Sequence, residues 1–444
     1  MHTQSEVAIQ TCSQALSTLQ VLYQNPAMID QNVLAADQHL SAEERWHSWV
    51  DTEARRRLLA GCLHLDNHAA IYQQQRRAHD WDPNGMTPVP QVPLFGLSSA
   101  PWKASSAEEW SSILGADARV VIPDFALPSE QLTPEYIMSL APYDRVAVLG
   151  REMLRLPRRE PAATASVSAH ASPVPEGEVQ IQPPVAQQLD STQVSHSLGV
   201  EERIGTLFAS CPIANTYLAL HHTPLHDLLA VGGDSWVFSQ KVMPATSFLE
   251  HQKRLKMWAE QHSRLPPNPA ASGLAGLSAA KATVYASRAI INFVDRAKNA
   301  PGVNRGTAAS PWSVDLSDYW AMYVCALICW AFGHRARPGP SDARNQHQRS
   351  SSEGSGRSSP VSRMSAAAVA KSDEEAMAWL RMVAAENMPL DNVVRARGRR
   401  EAAGVVGLVR RRLEVDCVGG RSRLYVDAIG VLRKLDEGAN WKWF

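Results

Sequence analysis

His64 and His68 stand four residues apart, the spacing at which two imidazoles on one helical face share a metal ion. The intervening Leu65-Asp66-Asn67 lacks the glutamate of an HExxH pair, and at 100° per residue both histidines fall opposite the face of Leu58, Cys62 and Leu65. They read as solvated or inter-helix side chains. His221, His222 and His226 crowd a second segment, with Asp227 and Asp234 as nearby carboxylates. Pro224 suits the first turn of the helix that carries His226, so His222 precedes that helix and the i, i+4 geometry is lost. Cys325 and Cys329 share a face of the most apolar stretch with no neighbouring cation to lower a thiol pKa, and read as packing thiols. The six cysteines, Cys12, Cys62, Cys211, Cys325, Cys329 and Cys417, form no CxxC pair, which excludes a zinc finger of standard spacing within the chain. No residue is assigned as a metal ligand, cofactor contact or catalytic group.

Enzyme motifs are equally absent. There is no GxSxG, no glycine-rich phosphate loop and no DDxxD pair, and Gly232-Gly233-Asp234 and Gly419-Gly420 are too short to cradle a phosphate. Asp373-Glu374-Glu375 behind Ser372 reads as the acidic start of a helix. The densest basic tract is Arg395, Arg397, Arg399 and Arg400, followed by Arg410, Arg411 and Arg412. It suits a nuclear-import signal or a phosphate-contacting surface. The interleaved Glu401 and Glu414, the apolar neighbours and the lack of stacking aromatics favour a solvated helix face.

Helices must position these groups. Thr3 to Gln24 has helical spacing, and Ser41 with Glu44 forms a capping box for a helix from Ala42 to about His79. Its expected core face is Trp46, Val50, Ala54, Leu58, Cys62, Leu65, Ala69 and Tyr72. Ser105 to Glu108 caps a short helix through Trp110 and Leu114, after an irregular Pro-rich crossing from Pro83 to Trp102. Pro134 to Leu156 supplies one more helix. Further amphipathic stretches lie near Arg203 to Ala209, Pro224 to Val231, Pro244 to Ser263 and Ala275 to Lys298. Ser317 to His334, apolar on nearly all sides, is the expected centre of the core. The last block has helices near Asp373 to Glu386, Arg399 to Leu413 and Ser422 to Glu437, the last capped by Gly438. Alternating strand patterns are almost absent, so the fold class is all-α.

Composition divides the chain of 444 residues into helical blocks 1–156, 199–337 and 373–444. They are joined by two segments expected to be disordered, 157–198, rich in Pro, Ala, Ser, Gln and Val, and 338–372, rich in Ser, Arg, Gly and Pro. The 44 basic residues balance 44 acidic ones, which argues against a chain that holds nucleic acid by itself. The longest apolar stretch, Tyr319 to Phe332, is too short to span a membrane, and the first thirty residues lack a signal-peptide pattern. A cytosolic or nuclear protein with no membrane contact is expected.

Thirteen tryptophans against eight phenylalanines mark a set of ordered patterns. Glu44-Arg45-Trp46-His47-Ser48-Trp49 is followed by Glu53, by Arg55-Arg56-Arg57-Leu58-Leu59 and by Leu65-Asp66. Glu53 can pair with Arg56 or Arg57 at i+3 or i+4, and Trp46 and Trp49 anchor the helix start. Pro93-Leu94-Phe95, Pro101-Trp102-Lys103-Ala104 and Ala107-Glu108-Glu109-Trp110 come next. This succession resembles the fungal-specific transcription factor domain, also called the xylanolytic activator or middle homology region. His222-Thr223-Pro224-Leu225-His226, Ser235-Trp236-Val237-Phe238-Ser239-Gln240-Lys241-Val242, Leu327-Ile328-Cys329-Trp330-Ala331, Arg423 to Ala428 and Asn440 to Phe444 look like the subgroup that carries paired two-Cys two-His fingers.

The resemblance implies a nuclear, non-enzymatic regulatory region acting on RNA polymerase II transcription through co-regulators, with homodimerisation as a further mode. DNA contact and zinc are implied only in an N-terminal finger module that this chain does not contain. Trp46, Trp49, Glu53, Arg56, Arg57, Trp102, Trp110 and Trp236 are its structural landmarks. The alternative is a finger-less co-regulator module that senses a small molecule or binds proteins, with a ligand entering near Trp102, Trp110 and Trp236.

Overall fold

In the computed structural model the residues described are 40–72, 92–94, 98–114, 124–125, 131–156, 191–232, 236–237, 240–241, 245–260, 278–298, 317–333, 366–386, 388–416 and 423–437. They form fifteen helices and two antiparallel pairings of two residues each, Val92–Pro93 (β1) with Asp124–Phe125 (β2) and Trp236–Val237 (β3) with Gln240–Lys241 (β4). The architecture is all-α. Two compact units, Met1–Ala209 and Ser210–Phe444, divide the chain, so residues 199–209 of the expected central block join the first unit and the rest of that block shares the second with the C-terminal block. The expected helix Thr3 to Gln24, the Gly438 cap and most of both composition-biased segments lie outside the described residues.

The first unit is organised by α1 (Ala42–Tyr72), which packs on α3 (Ala107–Leu114), α5 (Pro142–Met153) and β1. Ser41 and Glu44 close the capping box. The Glu44 amide donates to Ser41 Oγ at 3.2 Å, while the Ser41 amide and hydroxyl each donate to Glu44 Oε2 at 2.8 Å. The buried stripe of α1 corrects the expected one. Trp49, Glu53, Arg56, Ala60, His64, His68 and Tyr72 face inward, whereas Leu58 is 60% and Leu65 41% exposed. Hydrophobicity alone chose the wrong face because Glu53 pairs with Arg56 and His64 with His68 within the stripe, which offsets part of the penalty for burying them.

The α3 cap sits one residue later than expected. The Glu109 amide donates to Ser106 Oγ at 3.2 Å, and Ser105 donates back to the Glu109 carboxylate. The expected single helix over Pro134 to Leu156 is two, α4 (Pro134–Ser139) and α5, because Pro142 bars the preceding residue from helical geometry. Leu140 and Ala141 have ψ of 149° and 147°. Arg145 seals the break by donating to the carbonyls of Ile137, Met138 and Leu140. Helix α6 (Ser191–Leu207) begins inside the expected 157–198 linker and packs on α4 and α5.

At the centre of the second unit lies α11 (Asp318–Gly333), buried throughout from Ala321 to Gly333, as its all-round apolar character predicts. Around it pack α7 (Pro212–His221), α8 (Leu225–Gly232), α9 (Ala245–Glu260), α10 (Ala279–Lys298), α14 (Arg399–Asp416) and α15 (Arg423–Asp436). The buried alanines 279, 280, 282, 286 and 289 give α10 a smooth side for close packing. A Cβ on Gly333 would lie 2.2 Å from the Ala402 Cβ and 3.0 Å from the Gly398 carbonyl, so glycine permits the α11–α14 approach. The Trp258 indole donates to the His222 carbonyl at 2.8 Å and ties α9 to the end of α7. Helix α12 (Ala366–Val383) starts inside the expected 338–372 linker, which corrects the reading of Asp373 as a cap. Asp373 is a mid-helix residue paired with Arg411 of α14. Helix α13 (Leu390–Arg395) and α7 were not anticipated from the sequence.

Candidate functional site

Glu53 is fully buried and both of its oxygens are engaged. Helical spacing brings Arg56 and Arg57 to it from one and about one turn ahead. Arg56 Nη1 donates to Oε2 at 2.9 Å and Arg57 Nε to Oε1 at 2.8 Å. Ser98, at the start of α2 (Ser99–Trp102), donates its hydroxyl to Oε1 at 2.5 Å. Arg56 Nη2 donates to the Leu94 carbonyl beyond β1 at 3.1 Å, and Arg57 Nη2 to Ser98 Oγ at 3.1 Å. One carboxylate therefore joins α1, the Pro93-Leu94 segment and α2.

Aromatic rings close over this knot. The Arg57 guanidinium lies 4.5 Å from the centroid of Trp102, and Trp49 meets Trp102 and Trp110 at 6.5 Å and 5.9 Å. Trp49 and Trp110 are buried while Trp102 keeps 37% of its surface exposed. Six of the sequence-identified residues, Trp49, Glu53, Arg56, Arg57, Trp102 and Trp110, thus form a single assembly. Trp46 sits next to His47 instead, with ring centroids 5.0 Å apart. Trp236 belongs to β3 in the other unit, and its side chain lies outside the described ones. Ser98 was missed, and so was the contact of the Leu94 carbonyl within the Pro93-Leu94-Phe95 pattern, since a lone serine and a backbone carbonyl carry no sequence signal. A carboxylate held by two guanidiniums and a hydroxyl is a clamp, poorly suited to taking a proton or attacking an electrophile.

His64 and His68 are buried rather than solvated, which leaves the inter-helix reading. Their Nε2 atoms are 2.9 Å apart, so one ring donates to the other, and His64 stacks on Tyr143 of α5 at 4.7 Å. His222 caps the end of α7 and His226 stands on α8, so the i, i+4 pair does not form, as the proline indicated. Asp227 instead meets two α9 residues that the sequence did not single out, His251 and Arg254. Burial pushes the Asp227 carboxyl up, and the hydrogen bonds from His251 and Arg254 outweigh it and hold the pKa below its ordinary value. Cys325 and Cys329 are buried thiols, and burial pushes Cys325 up to about 12.

The basic tract is built into the second unit. Arg397 donates to the carbonyls of Phe332 and Ala259 and covers the Phe332 ring at 4.6 Å. Arg410 pairs with Glu414 and Asp436, Arg411 with Asp373, and Arg400 with Glu375. Arg395 reaches Asn392, while Arg399 and Arg412 lie on α14. An import receptor or a phosphate backbone would have to compete with these contacts. No helix among the described residues is long and apolar enough to cross a membrane. Comparison with protein-family models, with curated proteins and with solved structures finds no match.

Proposed function

We propose that the chain is the helical regulatory region of a fungal zinc-finger transcription factor, acting on RNA polymerase II transcription in the nucleus through co-regulators. The observation that supports this reading is the convergence at Glu53. The three separated patterns on which the resemblance rests, Trp49 to Arg57, Pro93-Leu94 and Trp102 to Trp110, meet at one buried carboxylate and its aromatic cover. Near-neutral charge and internally paired arginines suit a region that regulates while another module contacts DNA. Zinc belongs, on this reading, to that other module.

Fusing the full chain to an unrelated DNA-binding domain tests the proposal. A reporter carrying that domain's sites should change expression several-fold relative to the DNA-binding domain alone, in either direction. A reporter that does not respond contradicts a transcriptional role.

A further inference from the structure

Three donor side chains in the second unit come within reach of one another. His226 and Asp227 are successive residues on α8, and His251 faces them from α9. One ligand atom from each lies within 4.8 Å of the other two, and Asp227 and His251 are buried. The His226 and His251 ring centroids are 5.0 Å apart.

A positive charge already sits among these donors. Arg254 Nη2 is 2.8 Å from both Asp227 Oδ1 and His251 Nδ1, while those two atoms are themselves 2.6 Å apart. A carboxylate only accepts, so at 2.6 Å the His251 Nδ1–H donates to Asp227 Oδ1, and the Arg254 guanidinium donates to the same oxygen. A metal ion would take the place of that ring proton between imidazole and carboxylate. Arg254 shows that a cation is already stabilised beside Asp227.

We infer that His226, Asp227 and His251 form a binding site for a divalent transition metal such as zinc, and that Arg254 and the metal compete for it. Two imidazoles and one carboxylate are the donor set of zinc, cobalt, nickel or copper rather than of magnesium or calcium. Zinc bonds of about 2.0–2.1 Å set tetrahedral ligand atoms about 3.3 Å apart, so Asp227 and His251 would open slightly from 2.6 Å while His226, within 4.8 Å, closes in by side-chain rotation. Arg254 is about one-third exposed and lies 3.8 Å from the exposed Glu250, an alternative partner when it leaves Asp227. Three protein ligands leave a fourth position for water or an external group. Metal binding would lock α8 to α9. This inference stands independently of the transcriptional reading.

The test uses the full chain, stripped with a chelator and titrated with Co2+ and then Zn2+. Wild type should take up one Co2+ with the intense visible bands of a low-coordinate ion, and Zn2+ but not Mg2+ should abolish them. His226→Gln and His251→Ala should each remove those bands. Arg254→Met should bind about three- to tenfold more tightly, the equivalent of a partly buried ion pair that no longer has to be broken. Helical circular dichroism verifies folding. If His251→Ala unfolds, the partly exposed His226→Gln decides. Absence of the bands in wild type, or their survival in His226→Gln, overturns the site. Unchanged affinity in Arg254→Met overturns the competition.

Discussion

Glu53 lies in the first unit with both oxygens committed, so its charge and that of Arg56 are stable only together. Glu53→Gln leaves a buried guanidinium without its counter-ion and should cost about 3–5 kcal/mol, read as a lower urea midpoint of the first unit. The second prediction concerns His226, whose folded pKa is lowered by burial, then by His251 and Arg254 against the opposing pull of Asp227. Below about pH 6.5 the unfolded chain takes up a proton there that the folded chain still refuses, so stability falls with pH until the folded value is reached. His226→Gln should flatten that part of the profile. A steeper profile would contradict the assignment. Much of the Glu53 knot was legible, because i+3 and i+4 spacing of opposite charges is a local signal. Ser98 and the Leu94 carbonyl, about forty residues away, were not legible, since only the folded chain brings them to the carboxylate. His251 and Arg254 escaped for the same reason.

The elements follow the pattern of their apolar residues except where polarity is paired or absent. Helix α1 shows the first exception, burying Glu53, Arg56, His64 and His68 while Leu58 and Leu65 face outward. A hydrophobic plot cannot anticipate which charges will neutralise each other. Helix α7 shows the second, since Pro212 to Leu220 is buried on every side and has no amphipathic contrast to detect. Helix α13 is too short to show a period. Proline was the more reliable guide, separating His222 from His226 as expected, although its effect at Pro142 was overlooked. Where α11 meets α14, Gly333→Ala would drive a methyl group into Ala402 and the Gly398 carbonyl. It should cost about 1–3 kcal/mol by overpacking, measured by denaturation of the second unit. A neutral substitution would show that the two helices part freely.

On the scale of the molecule, helical periodicity and the lack of strand alternation were enough for the fold class, because both are properties of local sequence. The division into two units was not legible. It depends on α10, α11 and α14 packing across the Ser- and Arg-rich stretch, and composition marks only the stretch. The balance of 44 basic and 44 acidic residues also gains a structural meaning, as Arg410 and Arg411 bind carboxylates within their own unit instead of forming an open basic surface. The proposed role rests on the Glu53 assembly, and Arg57 is its partly exposed charged member, stacked on Trp102. The most direct measurement compares wild type and Arg57→Ala, each fused to the same unrelated DNA-binding domain, for reporter expression and, as purified full chains, for melting temperature. Loss of the partly exposed pair and its stacking should remove about 1 kcal/mol, lowering Tm by about 2–4 °C, and shift the reporter signal toward that of the DNA-binding domain alone. Wild-type Tm together with wild-type reporter expression would contradict the account.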